Sequence, residues 1–164
     1  MAMIPEITKI LYATDLSKNS LYAFGYAVRM ARQFRAEITV LHVAEPVSRT
    51  LGNWVKEKIE EEEFTHSVET IRRHLERFCE VMDRERTCIE LVSNILVRVG
   101  QPAEEILGAA QEEGSDVLVL GTHGKGFLKN KILGSVSRRV LDRSSKPVIV
   151  IPLPDDKVSW EEVW

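Results

Sequence analysis

The sequence predicts an α/β fold: one domain built on an open, doubly wound sheet of five parallel strands with helices on both faces. Three observations predict it. Four short apolar runs rich in β-branched residues, and a fifth that is longer and more mixed, alternate with stretches of helical periodicity along the 164 residues. The runs are continuously apolar rather than alternating, as strands covered on both faces are. Length and composition (44% hydrophobic, 29% charged) suit a single globular unit rather than a disordered chain. At this size about 68–70% of the unfolded chain's surface is buried on folding, enough for a substantial core.

The elements follow in order. The first strand is predicted over Ile7–Ala13. Leu21, Phe24, Ala27/Val28 and Ala31 then recur at steps of three and four, with Ser17 available as the N-cap of that helix. The second strand is Ile38–Ala44. Pro46 to Glu63 reads as a loop passing into the second helix; it carries Trp54 and Glu60–Glu63, an acidic run that reads as a solvated face. In the second helix Phe64, Val68, Ile71, Leu75, Phe78 and Met82 form one apolar stripe. It is too short for a coiled coil, so it belongs against the sheet. Ile89–Val99 is a longer, mixed third strand. Pro102 suits the first position of the third helix, Glu104 and Glu105 suit its positive end, and Gly114 suits a left-handed C-terminal cap. A fourth strand over Asp116–Leu120, a helix over about Gly134 to Arg143 and a last strand, Val148–Ile151, complete the order. Right-handed crossovers between such strands lead to a doubly wound sheet.

The charge balance narrows the function. The chain has 22 basic and 25 acidic residues, a net charge of −3, which excludes a globally basic nucleic-acid binder. The average conceals a contrast. Val117 to Leu141 holds Lys125, Lys129, Lys131, Arg138 and Arg139 and no acidic residue, so this one segment attracts polyanions. Two cysteines give no disulfide framework, and a reducing cytosol is the default. Cys79 and Cys88 read as buried small hydrophobes. No apolar run approaches the roughly 18 residues of a membrane span, and Met1 to Glu6 lacks the regions of a signal peptide. The expectation is a soluble cytoplasmic domain with neither membrane nor nucleic acid as partner.

In open parallel sheets, ligands bind at the carboxyl ends of the strands. Those ends read Ala13-Thr14-Asp15-Leu16-Ser17, His42-Val43-Ala44, Val99-Gly100-Gln101-Pro102 and Gly121-Thr122-His123-Gly124. Gly121 and Gly124 let backbone approach a ligand with no Cβ between. Gly134-Ser135 opens the last helix, where unpaired N–H groups and the positive dipole end favour an anion. The whole is Gly-x2-Gly-x9-Gly-Ser. A P-loop is excluded because Gly121 and Gly126 are followed by Phe127. A dinucleotide fingerprint is excluded because the first turn has no glycine. No nucleophile elbow is present, no Cys/His spacing suits zinc, and His66 and His74 fall on different helix faces.

Four motifs together resemble the universal stress proteins. They are the Gly121–Ser135 pattern, Ala13-Thr14-Asp15-Leu16-Ser17, Leu41-His42-Val43, and Gly100-x-Pro102-Ala103-x-x-Ile106, over roughly residues 5 to 152. The resemblance implies a Rossmann-like fold of the adenine nucleotide alpha-hydrolase-like kind, and the glycine pattern marks the family's ATP-binding branch. It implies that Asp15 and the backbone near Ala13 meet ribose and adenine, and that Val43 offers backbone groups to the adenine edge. Leu120 and Gly121 then line the ribose side, while Gly124, Gly134, Ser135, Val136 and Ser137 hold the phosphates. Mg2+ or Mn2+ is carried mainly by those phosphates, with no protein metal site. The family's last strand commonly pairs antiparallel across a homodimer, so the same is expected of Val148–Ile151.

Several residues carry a plainer reading beside this one. Asp15 also suits a cap on the first helix region. His42 reads as a satisfied core histidine, and His123 as either solvated or in contact with phosphate. The universal stress domain is expected over residues 1–154 and a tail over 155–164. In that tail Ser159-Trp160-Glu161-Glu162 resembles a capping box, and Trp160 and Trp164 suit docking on the body or on a partner subunit, with a disordered end as the alternative.

The leading function is therefore an ATP-binding, nucleotide-dependent regulator of the stress response with no catalytic residues. The alternatives are a slow ATPase or autophosphorylating protein using His123, Asp15, Ser135 or Ser137, and a dimerisation module that binds no nucleotide.

Overall fold

A computed structural model describes residues 4–44, 53–122 and 133–152; of residues 18, 19 and 53–65 it describes the backbone alone. Along the chain run β1 (Lys9–Thr14), α1 (Lys18–Phe34), β2 (Glu37–Ala44), α2 (Asn53–Met82), a 3-10 turn (Cys88–Leu91), β3 (Val92–Val99), α3 (Pro102–Glu112), β4 (Val117–Gly121), α4 (Ser135–Arg143) and β5 (Val148–Ile151). All neighbouring strands are parallel, in the order β3-β2-β1-β4-β5. The predicted α/β class, the five strands and the helices between them are all present.

The period of two along each strand explains the continuous apolar runs. Ile10 and Tyr12 of β1 face one core with α1 and α2, built on Phe24, Ala27, Ile71, Leu75 and Phe78. Leu11 and Ala13 face the opposite core with α3 and α4, built on Ile106, Ala110 and Val140. Helices on both faces leave no polar side for strands β1, β2 and β4.

Helix punctuation follows the residues. Ser17 is the N-cap of α1, its hydroxyl accepting from the Ser20 N–H at 3.3 Å. Pro102 opens α3, and Gly114 adopts φ 63° just past its end. Several boundaries differ from expectation, the first strand running Lys9–Thr14 rather than Ile7–Ala13. The helix α2 begins at Asn53, so residues 53–63 are helical rather than loop. The third strand starts at Val92, because the apolar residues before it form the 3-10 turn. The last helix starts at Ser135, with Gly134 as its N-cap. Gly124, His123 and the segment 153–164 with Trp160 and Trp164 lie outside the described residues.

The cysteines depart most from expectation. Both are buried as expected (Cys79 2%, Cys88 0% exposed), but they form a disulfide across nine positions of sequence. The last turn of α2 and the 3-10 turn are brought together by the turn between them, which spacing alone does not reveal. Closing so short a loop contributes about 2–3 kcal/mol by restricting the unfolded chain. Reduction is expected to lower unfolding stability by about that amount. Denaturation curves with and without a reductant check it, and superimposable curves would refute it.

Asp83 organises the same turn. Its carboxylate receives both Arg32 guanidinium nitrogens at 2.9 and 2.8 Å, and the N–H groups of Thr87 and Cys88 at 2.9 Å each. The hydrogen bonds from Arg32, supported by those from the backbone, hold the carboxyl at about 2 against the opposing effect of burial. Its contribution of about 2 kcal/mol is complete above the ordinary carboxylate range and is lost as pH falls toward 2. Stability should therefore drop between about pH 4 and pH 2. Asp83→Asn should flatten that part of the profile, and an unchanged acid slope would count against the assignment.

Candidate functional site

The chain runs outward from β1 to β2 and β3, then crosses to β4 and β5 on the other side. The crevice at the carboxyl ends of β1 and β4 is where such sheets hold ligands. A cavity of about 670 Å3 lies there, within the range of small-molecule sites. Ala13, Asp15, Val43, Leu120, Gly121, Gly134, Ser135, Val136 and Ser137 all line it. Nine of the ten residues singled out from the sequence thus share one cavity; the tenth, Gly124, lies outside the described residues.

The β1–α1 turn builds one wall. Leu16 holds φ 64°, unusual for a residue with a side chain, and that side chain packs against the core on the α1 face. The turn doubles back, so the Ser17 N–H and hydroxyl both reach Asp15 Oδ1, at 3.0 and 2.6 Å. Asp15 therefore supports the helix entrance with one oxygen, as its plainer reading holds. Its other oxygen, Oδ2, is buried with no hydrogen-bond partner among the described residues. An ionised carboxylate oxygen only accepts, and leaving it unmet is unfavourable. It suits a ligand that brings an O–H or N–H.

The opposite wall is the start of α4. Gly134 has no side chain to cap this helix; its N–H donates to the Thr122 carbonyl at 2.8 Å and its carbonyl accepts from Arg138 N–H at 2.9 Å. The amides of Ser135, Val136 and Ser137 occupy the first turn, where a helix leaves its N–H groups unpaired. The Ser137 hydroxyl is committed elsewhere: it donates to the Gly121 carbonyl at 2.7 Å, tying α4 to the end of β4. Ser137 is also buried, whereas Ser135 is exposed.

The structure adds Thr14, Ser20, His42, Ala44, Pro102 and Ile106 to the lining. Pro102 and Ile106 were legible as motif members, but nothing local in the sequence marks Ser20. His42 is only half-buried and lines the cavity, so it is not a core histidine, although its Nδ1 is satisfied by the Thr14 carbonyl at 2.9 Å. A carbonyl only accepts, so Nδ1 carries the hydrogen. Among the described residues, no group of three or more His, Cys, Asp and Glu is placed to hold a metal ion. No helix of the described residues is long and apolar enough to cross a membrane.

The model of the universal stress protein family matches residues 6–152. Universal stress protein MJ0577 of Methanocaldococcus jannaschii is 33% identical over 163 residues, covering 87% of this chain and 93% of that protein. A solved structure of MJ0577 matches with a TM-score of 0.62 at 30% identity, covering 93% of this chain and 100% of that one. Universal stress protein UspA from Lactobacillus plantarum matches in fold with a TM-score of 0.66 at 24% identity, over 90% of this chain and 99% of that one. So does a universal stress protein solved in complex with cAMP, with a TM-score of 0.59 at 24% identity, over 90% of this chain and 98% of that one. With its five-stranded parallel sheet and a family match over nearly its whole length, the chain belongs to the universal stress protein family.

Proposed function

We propose that this universal stress protein binds ATP and acts as a nucleotide-dependent regulator in the cytoplasmic stress response. One observation carries the reading: a single cavity has an unmet carboxylate oxygen on one wall and the uncapped start of a helix on the other. A nucleotide complements both, with hydroxyl and amine donors at one end and an anion at the other. The apolar ends of β1, β2 and β4 between them suit a base.

In this reading Asp15 Oδ2 accepts from the ribose, and the backbone at Ala13 and Val43 meets the adenine edge. Leu120 and Gly121 line the ribose side. The amides of Ser135, Val136 and Ser137 hold the phosphates, with Gly124 and Gly134 leaving room for them. Ser137 contributes its amide rather than its hydroxyl, which already donates to Gly121. The basic residues between Val117 and Leu141 add a long-range attraction for the polyanion. Mg2+ or Mn2+, when present, neutralises phosphate charge and is held by the phosphates themselves. One universal stress protein of the same fold was solved in complex with cAMP, which supports an adenine nucleotide as the ligand class.

The partner is a second copy of the chain. At the sheet edge β5 has β4 as its one strand neighbour among the described residues, and such an edge is a ready template for strand pairing. Antiparallel pairing of Val148–Ile151 across a two-fold axis closes both edges, and a monomer at micromolar concentration would overturn this assembly.

The function is tested by denaturing freshly purified protein and identifying released nucleotide by chromatography. Release of ATP is expected. Mostly ADP or AMP would move the protein to the slow-ATPase class. A chain that releases nothing and fails to bind added ATP would overturn the reading.

A further inference from the structure

We propose that Ser17 is a positioning residue for the nucleotide, acting through Asp15 to read the ribose hydroxyls; this rests on the nucleotide reading above. Ser17 has two hydrogen-bonding roles at once. As N-cap its oxygen accepts from the Ser20 N–H at 3.3 Å, and its hydroxyl hydrogen goes to Asp15 Oδ1 at 2.6 Å. The Ser17 N–H reaches the same carboxylate oxygen at 3.0 Å. With Oδ1 held by two donors on one residue, the planar carboxylate has a fixed direction for Oδ2, the buried oxygen left without a partner among the described residues.

The surrounding bonds keep Ser17 itself in place. Its carbonyl accepts from the Ser20 N–H at 3.1 Å and the Ser20 hydroxyl at 2.7 Å. Because the Ser20 hydrogen is used there, the contact between Thr14 Oγ1 and Ser20 Oγ at 2.8 Å has Thr14 as donor. Thr14 Oγ1 in turn accepts from the Leu16 N–H at 3.1 Å, and the Thr14 carbonyl is met by His42. The Tyr12 hydroxyl donates to the Ser20 carbonyl at 2.6 Å. Every hydroxyl of Tyr12, Thr14, Ser17 and Ser20 is thus engaged, and the left-handed Leu16 is anchored by its side chain in the core. Among the described residues, the buried polar side-chain atom of this turn left unmet is Asp15 Oδ2. A preorganised acceptor of this kind favours a ligand that carries its own donors, and a ribose diol does.

The test compares the wild-type full chain with Ser17→Gly and Ser17→Thr. Glycine at an N-cap differs from serine by only a few tenths of a kcal/mol, so Ser17→Gly removes the hydroxyl while keeping the helix start. Affinity is measured by calorimetry for ATP and for 2′,3′-dideoxy-ATP, with the melting temperature of each variant. Wild type should prefer ATP. Ser17→Gly should lower ATP affinity about tenfold, leave the dideoxy nucleotide within about twofold, and melt within a few degrees of wild type. Ser17→Thr should restore the preference for ATP. Equal losses for both nucleotides, or no loss with ATP, would overturn the role of Ser17 alone. Wild type that binds both nucleotides equally would overturn ribose reading by Asp15. Wild type that binds neither would overturn the nucleotide reading itself.

Discussion

Gly134→Val is expected to abolish ATP binding while leaving the fold in place. Gly134 holds φ −60° and ψ 156°, a region open to any residue including valine. Its N–H and carbonyl bonds to Thr122 and Arg138 involve backbone only on the Gly134 side, so a side chain does not remove them. Backbone freedom is therefore not what calls for glycine here. In the proposed nucleotide site, a valine side chain at the lip of the cavity would stand where phosphate approaches the first amides of α4. The expected loss in ATP affinity is at least a hundredfold, against a stability loss of roughly 1 kcal/mol for a poorer N-cap residue. Calorimetric titration together with a melting curve separates the two, and unchanged affinity in a folded variant would refute the phosphate assignment.

Phe24→Ala should have the largest effect on stability. Phe24 is fully buried, and its ring lies 5.4 Å from both the Tyr12 and the Phe78 rings, centroid to centroid. One side chain therefore joins α1 to the central strand β1 and to α2. Truncating such a residue costs about 3–5 kcal/mol, from lost transfer energy and the cavity left behind. That is a large share of the roughly 5–15 kcal/mol that holds most domains folded. The urea midpoint should fall sharply with little change in slope. A loss below about 1 kcal/mol would mean that the neighbouring side chains collapse into the space.

The fold was largely legible because its determinants are local. The steps of three and four in α1, Ser17 before it, Pro102 at the head of α3 and Gly114 past its end each act within a few residues. The boundaries that were missed are also local in cause. The Glu-rich stretch before Phe64 reads as a solvated approach, yet Val55 and Ile59 stand four apart in it and residues 53–63 continue α2. Ile89 and Leu91 look like strand residues but complete a 3-10 turn.

The candidate site was legible for a related reason. Its parts are short segments at strand ends, and a parallel sheet gathers all strand ends at one edge. Once the strands were placed, Ala13, Asp15, Val43, Leu120, Gly121 and Gly134 to Ser137 could meet in a single crevice, and they line one cavity. The atoms within those residues were not legible. Asp15 divides its two oxygens between the helix entrance and the cavity, Ser137 turns its hydroxyl to Gly121, and His42 leaves the core for the cavity wall.

By itself, then, the sequence determined the α/β class, the order of elements and the segments that form the crevice, since periodicity, caps and glycines act on their immediate neighbours. Tertiary structure alone decided the Cys79–Cys88 bond, the Arg32–Asp83 pair 51 residues apart, and the Asp15 oxygen left unmet among the described residues. Those depend on distances and donor directions between segments that only packing brings together. A hydrogen bond depends on angles and tenths of an ångström, and spacing along a chain encodes neither.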